Sequence, residues 1–134
     1  MELLIPMGHC HPMYCSAMGR VILAYQTENK IDQVIKKSHL KKYTSETKVE
    51  IPKIMQSLDE IKKMGYAIVI DELDMGVSSI AAPILDRTRN PVGAISVSAS
   101  TNRIRDTIGE EKVLTKAIVA AAGRISAKLG FFPK

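Results

Sequence analysis

The chain has 134 residues, of which 46% are apolar, 25% charged and 4% aromatic, and it carries a formal charge of +5. That length allows one domain with its own core and is short for two, and the apolar runs fall well under the roughly 18 residues a membrane helix needs. The opening MELLIPMG has neither a basic region nor a long apolar stretch, so no secretory signal is expected, and the low aromatic content argues against a base-stacking surface.

The first notable stretch, GHCHPMYC at 8–15, places His9, Cys10, His11 and Cys15 close together. These are metal-ligand types, but extended backbone puts His9 and His11 on one face and Cys10 on the other. The spacing also fits no common zinc template, so no metal is expected. Two cysteines without a secretory signal point instead to reduced thiols in a cytoplasm.

SAMGRVILAYQ then reads as a helix, with Ser16 as its cap and Met18, Ile22 and Tyr25 near helical spacing. ENKIDQVIKKS gives a second helix through Ile31, Val34 and Ile35. The lysines of KKSHLKKYTSETK alternate with polar residues and read as a solvated helix end and loop rather than a nucleic-acid surface. A third helix opens near TKVEIPKIMQSLDEIKKMG. Pro52 fits its first turn, Ile51, Ile54, Leu58 and Ile61 form its apolar stripe, and Gly65 ends it.

Three strands follow: YAIVIDEL (66–73), VSSIAAPIL (77–85) and PVGAISVSAS (91–100). The short connections DMG and DRTRNP make them an antiparallel meander. A last helix is expected from about Glu110 to Leu129, with Leu114, Ile118, Ala121, Ala122 and Ile125 on one face and Gly130 as its stop. Gly19 and Gly76 read as packing and turn glycines, and Phe131 and Phe132 as a tail packed back or at a subunit contact. The order of elements is α+β, with helices flanking an antiparallel sheet.

Alternation splits each strand into two rows. Ile80, Ala82 and Ile84 with Ile95, Val97 and Ala99 form an apolar row. Ser79 and Ala81 with Ala94, Ser96, Ser98 and Ser100 form a row of hydroxyls and methyls. Covered by another element, the small row becomes a shallow pocket for a small polar ligand. Open to water, it is an ordinary polar sheet face.

PMYCSAMGRVILAY resembles the segment that opens the second half of the effector-binding domain in IclR-type transcription regulators. Pro12, Met13, Cys15, Ser16, Ala17, Met18, Gly19 and Ile22 fit that pattern, with Tyr14 where histidine is common and Arg20 where lysine is common. Downstream, Gly65-Tyr66-Ala67, Asp71-Glu72, Gly76, Ala81-Ala82-Pro83 and Ala94 to Ser98 are similar to the same family, and the likeness runs from about Glu2 to Gly130. Val69 stands where the family often carries an acidic residue.

The resemblance implies a GAF- or profilin-like domain, incomplete at its N-terminus, that binds a small metabolite, often an organic acid. The ligand residues it implies are Cys15, Ser16, Ala17, Ser79, Ser96 and Ser98, with Asp71 a nearby acidic candidate. Amide groups at the start of the first helix suit a carboxylate, and serine hydroxyls complete its hydrogen bonds.

Residues 1–134 are then expected to be the C-terminal portion of a single effector-binding domain, reaching DNA only through a winged helix-turn-helix absent from this chain. No cofactor and no membrane partner is expected. An incomplete sheet exposes a strand edge, so a homodimer or homotetramer is expected. The rival reading is a thiol-dependent redox or other enzyme with Cys15 as nucleophile and His9 or His11 as base. No third residue orients such a histidine and no acid serves a leaving group, so the chain is expected not to be an enzyme.

Overall fold

Ser16 holds extended backbone, and its hydroxyl accepts from the Gly19 N–H at 3.1 Å, which opens helix α1 (Ala17–Ala24). In this computed structural model, which describes residues 7–107 and 112–133, α2 (Glu28–Lys37) is capped in the same way by Thr27. Helix α3 (Ile51–Met64) carries Pro52 in its first turn, where an N–H would have no intrahelical acceptor, and stops at Gly65 with φ +87°. Strands β1 (Ala67–Ile70), β2 (Val77–Leu85) and β3 (Pro91–Ser100) follow, then α4 (Thr101–Thr107) and α5 (Val113–Lys128).

Among the described residues the strands form one antiparallel sheet in the order β1-β2-β3. Val69 pairs with Ser79 and Ser79 with Ser98; Ala67 pairs with Ala81 and Ala81 with Ser96. Register therefore stacks the small row across all three strands. Ile68, Ile80 and Val97 stand in line on the opposite face.

Helices cover both faces. Tyr66, Ile80, Ala82, Ile118 and Ala122 form one buried cluster, so α5 packs on the apolar row. The larger cluster joins Cys15, Ala17, Val21 and Ala24 to Ile54, Leu58 and Ile61 and to Ala67, Val69 and Ala81. Helix α1 is thus sandwiched between α3 and the small row. Methyl-sized side chains on the sheet let the helix come close. Each fully buried leucine or isoleucine there contributes about 1.5–3 kcal/mol.

Several expectations need correcting. Strand β1 ends at Ile70 rather than at residue 73, because Asp71 turns into left-handed backbone (φ +59°) and its carboxylate accepts from the Gly76 N–H at 2.9 Å. Helix α4 was not expected at all. The expected start of the last helix at Glu110 lies outside the described residues.

Helix faces also differ. Met18 is exposed and Ile22 only half-buried, while Ala17, Arg20, Val21, Leu23 and Ala24 are buried, because α1 packs on two sides. Ile51 and Ile125 are exposed. In α5 the buried positions are Thr115, Ile118, Ala122 and Ser126. Ser126 is drawn inward by the register shift at Ile84/Leu85, where its Oγ accepts from the Leu85 N–H at 2.9 Å. Phe131 is half-buried with the Arg89 guanidinium 5.1 Å over its ring, and Phe132 is exposed.

Candidate functional site

The small row is covered by α1. Ser79 and Ser98, adjacent across β2 and β3, share a hydrogen bond at 2.5 Å, and both side chains are half-buried. Ser96 is also half-buried and lies opposite Ala81 on the same row. Paired hydroxyls at a partly dehydrated position can rotate to donate to, or accept from, a third polar group.

At the helix end of this region, Cys15, Ser16 and Ala17 are buried. The Ser16 hydroxyl is committed twice, donating to the Pro12 carbonyl at 2.7 Å and accepting from Gly19. What the segment offers a ligand is therefore backbone, namely the first-turn N–H groups of α1 that have no intrahelical acceptor. The bend that brings 12–16 back over the helix needs Gly19. A Cβ there would lie 2.8 Å from the Met13 carbonyl oxygen and closer still to the Met13 Cα.

Burial pushes the Cys15 thiol up to about 11, with the Arg20 charge opposing that shift and Glu72 adding to it. A thiol so held is protonated at neutral pH, which removes the nucleophile from the enzyme reading. Cys10 is exposed, and the His9 and His11 rings meet edge-on with centroids 4.7 Å apart. Among the described residues no three His, Cys, Asp or Glu side chains gather at one point.

Asp71 does not join the serine pair. Its carboxylate accepts from the Gly76 N–H and from the Thr101 hydroxyl. Because Thr101 donates to Asp71, Ser78 must donate to Thr101, at 2.8 Å. Ser78 belongs to the face opposite Ser79, so this chain of hydroxyls runs along the α4 side of the sheet. Cys15 and Ala17 share a buried cluster with Val69 and Ala81, the small-row neighbours of Ser79 and Ser96, while the Asp71 carboxylate turns to Gly76 and Thr101.

The sequence reading missed a buried ion pair. The Arg20 guanidinium donates to both Glu72 oxygens at 2.6 Å each, and its Nε donates to the Tyr14 carbonyl at 2.7 Å. Side-chain exposure is 2% for Arg20 and 3% for Glu72. Burial alone would raise the Glu72 carboxyl. The Arg20 hydrogen bonds and charge, then the Lys48 N–H and ammonium, reverse this and hold it below the ordinary glutamate value. The signal available was a single charge inside the apolar run around VILA, and an acidic pair directly after the apolar β1.

The family described as bacterial transcriptional regulator IclR C-terminal matches residues 1–127. The chain belongs to this family. The IclR C-terminal domain seen here is 34% identical over 127 residues to the DNA-binding transcriptional repressor YiaJ of Escherichia coli (strain K12), a match covering 92% of this chain and 44% of that one. It is 37% identical over 129 residues to an uncharacterized HTH-type transcriptional regulator of Haemophilus influenzae, covering 92% and 47%.

The crystal structure of the transcriptional regulator YaiJ matches with a TM-score of 0.88 at 29% identity, covering 97% of this chain and 72% of that one. The IclR C-terminal chain spans about half the length of the curated relatives it matches. These relatives are named as regulators of transcription, and no described helix of this domain is long and apolar enough to cross a membrane.

Proposed function

We propose that this IclR C-terminal domain binds a small organic acid in a cytoplasmic regulator and passes occupancy to a winged helix-turn-helix on the same or another chain. The observation that carries the reading is the Ser79–Ser98 hydroxyl pair on the row of small side chains beneath α1. A carboxylate fits this setting. Backbone N–H groups at the start of α1, near Ser16 and Ala17, would hold it with the help of the helix dipole, and Ser79, Ser96 and Ser98 would supply hydroxyls. Asp71 contributes by holding the β1–β2 loop through Gly76 and Thr101.

Val69, buried beside Ser79, keeps the site free of a competing negative charge, which favours an anionic ligand. The relatives' names as transcriptional regulators support a signalling role. Self-association of the domain into a homodimer or homotetramer belongs to the same reading.

Thermal unfolding with a panel of aliphatic keto and hydroxy acids and aromatic acids tests it. A ligand at 100 times its dissociation constant stabilises the folded state by about 2.7 kcal/mol. The S79A/S98A variant is expected to unfold near the wild-type temperature and to lose that shift. A panel that moves neither protein, or a shift that survives in S79A/S98A, overturns the reading.

A further inference from the structure

Residues 39–50, between α2 and α3, contain no regular helix or strand, yet they are tied down at three places. Near one end, Lys41 clasps the Tyr14 hydroxyl from both sides: its N–H donates at 2.8 Å and its carbonyl accepts at 2.7 Å. In the middle, the Thr44 hydroxyl donates to the Asp71 carbonyl at 2.6 Å and the Thr47 hydroxyl to the Glu72 carbonyl at 2.5 Å. Near the other end, the Lys48 N–H donates to Glu72 Oε1 at 2.9 Å, and its ammonium lies 3.3 Å from Oε2.

These ties converge on one network. Glu72 is gripped by Arg20 of α1, and the same Arg20 holds the carbonyl of Tyr14, the residue that clasps Lys41. Both ends of the segment therefore depend on side chains that flank Cys15–Ala17. Leu40 and Val49, also one near each end, pack against the core around α1. Thr47 binds the segment to itself, its Oγ1 accepting from the N–H groups of Tyr43 and Thr44 at 3.0 and 2.9 Å. A segment knitted internally and fastened at both ends to one network has few ways to open piecemeal.

We propose that residues 39–50 are a strap that opens and closes as one unit, latched to α1 through the buried Arg20–Glu72 pair and the Tyr14 clasp. Opening frees Leu40 and Val49 from the core and detaches Lys41 and Lys48 together, so the strap's state is set by the position of α1. The device does not require the ligand reading above and stands or falls with the unliganded protein.

Amide hydrogen exchange of the whole chain, resolved at Lys41 and Lys48 with amides of β2 as reference, tests it in two variants. Y14F removes only the clasp hydroxyl. Exchange is expected to rise about tenfold at both Lys41 and Lys48 while β2 is unchanged, as for one cooperative unit. R20M/E72M replaces the ion pair by apolar side chains without leaving an unpaired buried charge, and the same joint rise is expected. Faster exchange at Lys41 alone in Y14F, or at Lys48 alone in R20M/E72M, where only the Lys41 amide keeps its own acceptor, overturns the proposal.

Discussion

Arg20 and Glu72, separated by 52 positions in sequence, meet as a two-pronged ion pair almost wholly withdrawn from solvent. Removing two charges from water is costly, and only a geometry with every donor and acceptor used offsets it. Here Nη1, Nη2 and Nε of Arg20 are all donated, and the carboxylate takes the Lys48 N–H and ammonium as well. The pair joins α1 to the β1–β2 loop and to the segment that leads into α3, which makes it a positional device more than a source of net stability.

Breaking the pair from one side leaves a buried charge. E72Q is expected to lower unfolding free energy by about 3–5 kcal/mol, whereas R20M/E72M is expected to stay much closer to wild type. Urea unfolding of the three proteins checks this. A loss in E72Q no larger than that in R20M/E72M contradicts it.

The same pair sets an acid limit. The folded-state pKa of Glu72 lies below its unfolded value, so its stabilisation is fully present above about pH 4.3, the ordinary glutamate value, and is lost as pH falls through the depressed folded value. Stability measured against pH is expected to fall more steeply below that point in the wild type than in R20M/E72M. Parallel curves would assign the acid sensitivity to other carboxylates.

Much of the fold could be read before the structure. Ser16 as a cap, Pro52 in a first turn, Gly65 as a stop and the turn at DRTRNP are local devices, decided within a few residues. The split of β2 and β3 into an apolar and a small row was equally legible, since alternation needs no knowledge of the partner strand. What failed depends on distant chain. Arg20 looks like a surface charge until Glu72 arrives to receive it.

Met18 and Ile125 look inward by hydrophobicity, but α1 is squeezed between sheet and α3, and α5 turns Ser126 inward to accept from the Leu85 N–H. Asp71 is a ligand candidate in sequence only as an acidic residue near Val69, where the family often carries one, but it also follows an apolar strand beside a glycine turn. The same placement makes it the residue that closes that turn.

The two cysteines should separate chemically. Cys10 is exposed, and Cys15 is buried with its thiol pushed up to about 11, so a thiol reagent near neutral pH is expected to label Cys10 alone until denaturant exposes Cys15. A raised thiol value means the folded state favours the protonated form. That stability is fully present below the unfolded value of about 8.5 and is lost as pH climbs towards the folded value. Rapid labelling of both thiols in the native protein would contradict the burial of Cys15.

Ser126 offers a test of the link between α5 and the sheet. In S126A the Leu85 N–H loses its acceptor in a buried position, and a buried unsatisfied donor costs about 1–3 kcal/mol. The loss should appear in chemical denaturation without a change in the slope against denaturant, because the folded surface is unaltered. An S126A protein as stable as wild type would mean that the bond at Leu85 is replaced by water.

Gly19 is the tightest point of the region proposed to hold the ligand. Its φ is an ordinary helical one, so the demand for glycine is steric rather than conformational: the chain from Met13 crosses directly over it, and the Ser16 Oγ lies where a Cβ would go, at 2.6 Å. Backbone cannot step aside as a flexible side chain can. G19A is therefore expected to push the 12–16 bend off α1, break the Ser16 cap and cost about 1–3 kcal/mol despite alanine's better helix propensity. If strain at this bend is what places the amides of Cys15–Ala17, G19A should also weaken binding of any acid found in the thermal screen by more than its stability loss explains. Unfolding and titration on the same protein preparation separate the two effects, and a G19A domain as stable as wild type would show that the crossing is looser than its geometry indicates.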